Sequence, residues 1–134
     1  DSLVIYARDT DILVLLVAHF DKMPCTKLWM KAGISKKPKY IPIHEIHQEI
    51  PRGQAETILA FHAITGCDSV SHIAGHTKKS AWKVFSNHHE LLNDLGKGEI
   101  SDQVAQSAEK FICRLYNLND VDVCDKARVV LFCK

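Results

Sequence analysis

The hydrophobic positions near the start of the chain form two runs separated by a short polar break. Residues 2–7 are a continuous apolar and β-branched run without alternation, which is typical of a strand covered on both faces in a parallel sheet. Asp9 and Asp11 interrupt the pattern, and residues 10–20 are rich enough in Leu, Val and Ile to predict a mostly buried helix. The pattern therefore predicts a central parallel strand, a loop and a buried helix, which together form an α/β unit.

Two short strand patterns flank a turn-rich segment in the next part of the chain. Residues 25–31 and 39–43 carry strand-forming side chains, and the sequence AGISKKP between them supplies Gly, Ser and Pro. These residues favour turns, so the segment predicts an antiparallel β-hairpin. Pro42 lacks a backbone donor, which places the second strand at an edge of the sheet.

Apolar positions recur at helical spacing in most of the remaining chain. The pattern predicts a short helix over residues 43–50 that ends at PRG, and a second helix over residues 54–65 closed by Gly66 in a left-handed conformation. The sequence GCDSVSHIAGHT is then a loop. Later apolar segments comprise two predicted helices, residues 78–95 and 100–116, and a last stretch, residues 126–133.

Size and composition favour one soluble domain. The chain has 134 residues, of which 46% are hydrophobic and 25% are charged, and it shows no repeat or linker. Its longest apolar run, residues 12–18, is too short to span a membrane, so no membrane partner is expected. Five cysteines at scattered spacings indicate free thiols, and free thiols favour an intracellular location, nuclear or cytoplasmic.

The eight histidines raise the question of a zinc site. In HEIHQ, His44 and His47 are three residues apart where a zincin helix requires four. We therefore predict two histidines on the polar face of a short helix. His62, in LAFHAIT, is on or near an apolar helix face and is predicted to be a partly buried, hydrogen-bonded side chain rather than a general base.

Asp9 and Asp11 admit two interpretations. Aspartates in the first helical turn satisfy free backbone N–H groups and complement the helix dipole. In open α/β sheets, however, ligands bind beyond the carboxyl ends of the strands, where this pair is expected to lie. Capping accounts for one aspartate more readily than for two, so a metal-binding role stays open beside capping.

Two motifs in the chain resemble a known nuclease family. Residues 59–85, LAFHAITGCDSVSHIAGHTKKSAWKVF, resemble the segment of flap endonucleases and XPG-type nucleases in which a helix ends in Gly-x-Asp and a helix-hairpin-helix with a basic second helix follows. RDTDILVLL resembles the strand-end Asp-x-Asp of that family, and the motifs occur in the family's order. With DTDILVLL and FHAITGCD as landmarks, the chain is also similar to a PIN-like branch found in transposon-related or uncharacterised proteins.

This resemblance implies a partial PIN-like, flap-endonuclease-type three-layer α/β domain. It would contain a parallel central strand, a β-hairpin and a C-terminal helical part with a helix-hairpin-helix-like motif. Residues 1–50 would form the α/β part and residues 51–134 the mainly helical part of a single domain. The implied function is structure-specific hydrolysis of phosphodiester bonds in DNA or RNA.

The resemblance also implies a two-metal site that holds Mg²⁺ or Mn²⁺. By motif matching, Asp9, Asp11 and Asp68 carry over as metal ligands, and no catalytic residue beyond these ligands is implied. Mg²⁺ prefers oxygen ligands and keeps several waters, so clustered carboxylates are suitable donors. The bound cations would activate a water and stabilise the leaving oxygen.

The helix-hairpin-helix-like segment is implied to contact the nucleic-acid backbone. Gly75 would let the chain approach a phosphate, and lysines follow at the start of the next helix. The implied nucleic-acid-binding set is Gly75, Thr77, Lys78, Lys79 and Lys83. The chain departs from the family here, because Gly75-His76-Thr77 stands where Gly-x-Gly is common. With a net charge of only +1, the lysines are equally consistent with a solvated helix face.

The resemblance covers about residues 2–95. The acidic residues that the family carries further upstream are not among the residues of this chain. Family members place a strand with an aspartate and a helix with paired glutamates before the equivalent of Ser2. We therefore expect an N-terminally truncated domain that is completed by the remainder of the parent chain, with an incomplete metal site and no nuclease activity as this fragment. Two alternatives are a catalytically inactive nucleic-acid-binding or protein-interaction module on the same fold, and a structural α/β domain with capping aspartates.

Overall fold

The computed structural model describes residues 1–51, 53–67 and 71–134. The chain divides into two compact units, an N-terminal unit, Asp1–His62, and a C-terminal unit, Ala63–Lys134. The predicted α/β class is confirmed, because the described residues form a three-stranded sheet and several helices. The narrower prediction of a single PIN-like three-layer domain stays a prediction.

The sheet of the N-terminal unit comprises β1 (Ser2–Tyr6), β2 (Lys27–Ile34) and β3 (Lys37–Pro42), in that order. β1 pairs with β2 in parallel, and β2 pairs with β3 in antiparallel orientation. The β-hairpin and the edge position of Pro42 are therefore confirmed. Both hairpin strands extend further toward the turn than predicted.

The prediction that the first strand is central and covered on both faces is wrong for the described sheet. β2 takes the centre because it pairs on both sides, and β1 lies at an edge. Leu3 and Val4 of β1 are 41% and 43% exposed, whereas Leu28 and Met30 of β2 are buried. An apolar run predicts burial only where a neighbouring element covers it, and β1 lacks that cover.

Among its described residues, the N-terminal unit begins three α-helices: α1 (Thr10–His19), α2 (Ile43–Glu49) and α3 (Thr57–Thr65). A short 3₁₀ turn over Phe20–Lys22 follows α1. The predicted helices are thus present, although α3 starts three residues later than expected. The expected burial of α1 is wrong, because only Val17 and Ala18 are buried in it.

The histidines of α2 pack into the N-terminal unit, so the prediction of two polar-face histidines is wrong. His44 is buried, and its Nδ1 lies 3.2 Å from the backbone N and 3.0 Å from the backbone O of Leu28. His47 Nδ1 lies 2.8 Å from Val17 O, and its Nε2 is 3.1 Å from an Asp21 carboxylate oxygen. These contacts join α2 to β2 and to the end of α1.

The C-terminal unit contains α4 (Lys78–His88), α5 (Asp102–Leu115) and α6 (Cys124–Phe132). The predicted helix over residues 78–95 is shorter than expected, because the chain tightens into a 3₁₀ helix at His89–Leu92. The last apolar stretch is helical. The core of the C-terminal unit consists of buried side chains from these helices, the 3₁₀ helix and the α5–α6 connection: Phe85, Leu92, Phe111, Cys113, Leu118 and Ala127.

Arg114 organises the connection between α5 and α6. Its buried guanidinium donates to Leu118 O at 2.6 Å and to Val121 O at 2.9 Å, and it pairs with an Asp122 carboxylate oxygen at 2.5 Å. The hydrogen bond from Arg114 holds the pKa of Asp122 below its ordinary value. A single side chain of α5 therefore satisfies two backbone carbonyls of the loop that leads into α6.

Each unit carries one of the two tryptophans. Trp29, on β2, contacts the ring of His44 edge-on at 5.1 Å. Trp82, on α4, packs against Phe85 with ring centroids 5.2 Å apart. No helix in the described part of the chain combines the length and the apolar composition needed to cross a membrane. Cys25, Cys113, Cys124 and Cys133 are free thiols, as predicted.

Candidate functional site

Asp9 lies just beyond the carboxyl end of β1 and caps α1. Its backbone is extended, with φ −85° and ψ 135°, and its Oδ1 accepts a hydrogen bond from the backbone N–H of Asp11 at 3.0 Å. This geometry satisfies one of the N–H groups left open at a helix start. The capping interpretation is therefore confirmed for Asp9, and it uses one of the two carboxylate oxygens.

Asp11 has a different partner. Its Oδ1 contacts Nε2 of His62, which α3 places against the first turn of α1. The His62 side chain is 12% exposed and that of Asp11 is 39% exposed. The prediction that His62 is a partly buried, hydrogen-bonded histidine is confirmed. Its partner could not be predicted, because it depends on a tertiary contact between residues 51 positions apart.

The donor chemistry at this end of β1 suits a hard divalent cation. Two carboxylates lie within one helical turn, and the contacts described above use Oδ1 of each. Mg²⁺ and Mn²⁺ take oxygen ligands and retain waters, so two carboxylates can contribute to such a site without completing it. In residues 1–51, 53–67 and 71–134, no three His, Cys, Asp or Glu side chains form a ligand group. Asp68, the third predicted ligand, lies outside the described residues.

The loop that follows α3 depends on a glycine. Gly66 has a φ of +111°, which fits the predicted helix-closing role. A Cβ on Gly66 would lie 2.6 Å from the Cα of His72. Gly75, the predicted phosphate-approach residue, also has a positive φ, of +78°, but a Cβ there would meet nothing within 4 Å. The backbone at Gly75 is thus open on the side that a side chain would occupy.

Thr77 has a local role that was not predicted from the sequence. It is the N-cap of α4, with its hydroxyl accepting from the backbone N–H of Ser80 at 3.2 Å. The Ser80 hydroxyl in turn accepts from the backbone N–H of Thr77 at 3.0 Å, which completes a capping box. Thr77 has φ −89°, so its position does not require glycine. Thr77 therefore contributes to the capping of α4 at a position where glycine would not.

The three predicted phosphate-binding lysines differ in their surroundings. Lys78 is half-buried, and its Nζ donates to Thr65 Oγ1 at 2.9 Å, which ties the start of α4 to the end of α3. Lys79 and Lys83 are exposed and four residues apart, so they share one face of α4. These two lysines present the accessible positive charge of α4.

Comparison with known proteins adds no relative. No protein-family model matches the chain, and neither a curated protein nor a solved structure matches it significantly.

Proposed function

We propose that this chain is a portion of a divalent-metal-dependent, PIN-like nuclease of the flap-endonuclease type. The observation that supports this function is the position of Asp9 and Asp11. Both follow the carboxyl end of the parallel strand β1, where ligands of open α/β sheets bind. The contact from His62 gives the Asp11 carboxylate a fixed neighbour. A purely structural cap requires only Asp9.

In this proposal Asp9, Asp11 and Asp68 hold Mg²⁺ or Mn²⁺. When bound, the cations supply an activated water and stabilise the charge of a phosphodiester under attack. His62 acts as a positioning residue, because its ring contacts the Asp11 carboxylate. Lys79 and Lys83 on α4 contribute contacts to the backbone of DNA or RNA, and their exposure suits that role.

A second candidate function is a catalytically inactive nucleic-acid-binding module on the same fold. The capping of α4 by Thr77 and the exposure of Lys79 and Lys83 support it, because neither feature requires a metal. In this alternative Asp9 serves only as a cap and Asp11 only as the partner of His62. The two functions differ in whether the aspartates bind a cation.

Thermal unfolding with increasing Mn²⁺ distinguishes the two functions. A ligand that binds only the folded state stabilises it by about 2.7 kcal/mol at a hundredfold excess over Kd. We expect Mn²⁺ to raise the Tm of the unmodified chain. Three substitutions, Asp9→Asn, Asp11→Asn and Asp68→Asn, should each reduce that increase.

The matched control is Asp120→Asn, which neutralises an exposed aspartate in the α5–α6 connection and should leave the Mn²⁺ effect unchanged. Asp9→Asn is informative because Asn caps a helix about as well as Asp, so a loss of the Mn²⁺ effect reports metal binding rather than capping. Equal Tm increases in all four variants would refute the metal site and favour the binding module.

A further inference from the structure

A row of two tyrosines and a lysine crosses one face of the three-stranded sheet. Tyr6 of β1 is opposite Lys31 of β2, and Lys31 is opposite Tyr40 of β3. Lys31 Nζ lies 4.9 Å from the ring centroid of Tyr6 and 5.7 Å from that of Tyr40. These distances place the ammonium group within cation–π range of both rings. We refer to the sheet face that carries Tyr6, Lys31 and Tyr40 as the outer face.

The aromatic rings on the outer face are accessible. Tyr6 is 75% exposed and Tyr40 is 51% exposed. Side chains alternate between the faces of a strand, so Leu28 and Met30 belong to the opposite face, where they are buried. The row therefore does not contribute to the core of the N-terminal unit. Single exposed apolar residues are common on protein surfaces, but two rings aligned on either side of a cation form a defined platform.

Basic side chains lie on this face: Lys27 and Lys31, four residues apart on β2, share the outer face. Residues 22–44 contain six lysines and no aspartate or glutamate. Tyr6, Arg8 and Lys31 also line an open groove of about 440 Å³ beside the platform. A polyanion that approaches the outer face therefore meets a locally positive surface, although the net charge of the chain is only +1.

We propose that the outer face binds a single-stranded nucleic acid. Its bases would stack on Tyr6 and Tyr40. Its phosphates would contact Lys27, Lys31 and Arg8, which lie on or beside this face. Aromatic side chains combined with a positive surface are the recurring means of binding single strands without sequence preference. Adjacent strands are about 4.8 Å apart, so the two rings stand about 10 Å apart along the row. That separation is about three times the ~3.4 Å rise of a stacked strand.

The platform distinguishes single strands from duplexes but does not distinguish DNA from RNA. Stacking on a tyrosine ring requires an exposed base face, which a duplex hides within its stack. Neither a tyrosine ring nor an ammonium group distinguishes ribose from deoxyribose, so DNA and RNA single strands are expected to bind with similar affinity. This inference goes beyond the proposed nuclease function and does not depend on metal binding.

Fluorescence anisotropy with labelled single strands tests the proposal. The strands are about twelve nucleotides long, which is within the known range of site sizes. Oligo-dT, oligo-U and a duplex of the same length are titrated with the 134-residue chain in EDTA at low salt. We expect both single strands to bind more tightly than the duplex. Tyr6→Ala and Tyr40→Ala should each raise Kd by about fivefold or more, the effect of losing one stacked base.

The matched variants separate stacking from other effects. Tyr6→Phe and Tyr40→Phe keep the rings and should bind within about twofold of the unmodified chain, because stacking needs only the π-face. Phe132→Ala removes a 92% exposed ring from the C-terminal unit and should leave Kd unchanged. Lys31→Gln should weaken binding and reduce the dependence of log K on log salt concentration by about one.

Several results would overturn the proposal. These are absence of single-strand binding, preference for the duplex, and unchanged affinity in both alanine variants. Because EDTA removes divalent cations, this experiment and the Mn²⁺ titration fail independently. Loss of single-strand binding alone would leave the metal site standing, and loss of the Mn²⁺ effect alone would leave the platform standing.

Discussion

Asp9 has a structural role that can be separated from its proposed metal-binding role. Its carboxylate accepts the backbone N–H of Asp11. Asp9→Ala removes the acceptor and should lower the free energy of unfolding by about 1 kcal/mol, whereas Asp9→Asn keeps an acceptor and should cost less. Urea unfolding in EDTA measures both changes. If both substitutions cost the same, the charge rather than the hydrogen bond of Asp9 stabilises α1.

Gly66 and Gly75 provide a matched pair of left-handed positions. Gly75→Ala introduces a Cβ into open space at φ +78°, so only backbone strain of about 1–2 kcal/mol is expected. Gly66→Ala adds a steric conflict with the backbone of His72 to the same strain. Overpacking costs about 1–3 kcal/mol more, so urea unfolding should show the greater loss of stability for Gly66→Ala. Equal losses would mean that the chain near His72 moves aside at little cost.

The capping aspartate and the helix-closing glycine could both be predicted from the sequence, since each role depends on a few neighbouring residues. The contact between Asp11 and His62 could not be predicted, because it requires α3 to approach the start of α1. The exposure of α1 could not be predicted for the same reason, because it depends on which elements pack against the helix. Its run of Leu, Val and Ile indicates an apolar helix, but only Val17 and Ala18 are buried by the elements around it.

At the scale of elements, the connection between α5 and α6 depends on Arg114. Arg114→Met keeps most of the apolar stem but leaves the carbonyls of Leu118 and Val121 without these donors. An unsatisfied buried carbonyl costs about 1–3 kcal/mol, so we expect a loss of about 2 kcal/mol or more in thermal or urea unfolding. Asp122→Asn is the milder control, because the Asp122 side chain is 56% exposed.

The same ion pair predicts a pH dependence. Hydrogen bonding to Arg114 lowers the pKa of Asp122 from its ordinary value of 3.8. A carboxylate with a lowered folded-state pKa stabilises the fold above its unfolded-state pKa and loses that effect as the pH falls through the folded-state value. The difference in stability between the unmodified chain and Asp122→Asn should therefore be constant above about pH 5 and shrink below pH 4. A difference that stays constant as the pH falls below 3.8 would contradict this prediction.

The hairpin could be predicted from the sequence, whereas the position of β1 in the sheet could not. Turn-forming residues between two strand patterns predicted the antiparallel pairing of β2 and β3, which is observed. The position of β1 was mispredicted, because sequence patterning does not indicate how many elements cover a strand. The tyrosine and lysine row also escaped sequence reasoning, since it requires the registers of three strands to be known together.

Across the whole molecule, the cysteine thiols differ in accessibility and acidity. Cys133 is exposed and Cys113 is buried. Burial is the main cause that raises the pKa of the Cys124 thiol to about 11. Thiolates rather than thiols react with iodoacetamide, so at pH 8 Cys133 should be alkylated before Cys113 and Cys124. Mass spectrometry of timed samples measures the order. Early modification of Cys124 would show that the α5–α6 region opens readily.

The distribution of charge also belongs to this scale. Residues 22–44, with six lysines, and residues 69–89, with three, contain no acidic side chain. Although the net charge of the chain is close to zero, the chain contains two basic stretches, one in each unit. The lysines of residues 69–89 could be identified from the sequence, but only the structure shows that Lys79 and Lys83 are accessible and that Lys78 is hydrogen-bonded.

The placement of Trp29 and Trp82 gives each unit its own optical reporter. Replacing Trp29 with Phe leaves tryptophan emission only from the C-terminal unit, and replacing Trp82 leaves tryptophan emission only from the N-terminal unit. Coincident denaturation midpoints in the two single-tryptophan proteins would identify one cooperative transition, and separated midpoints would identify two. The chain thus carries the means to establish whether its halves melt together.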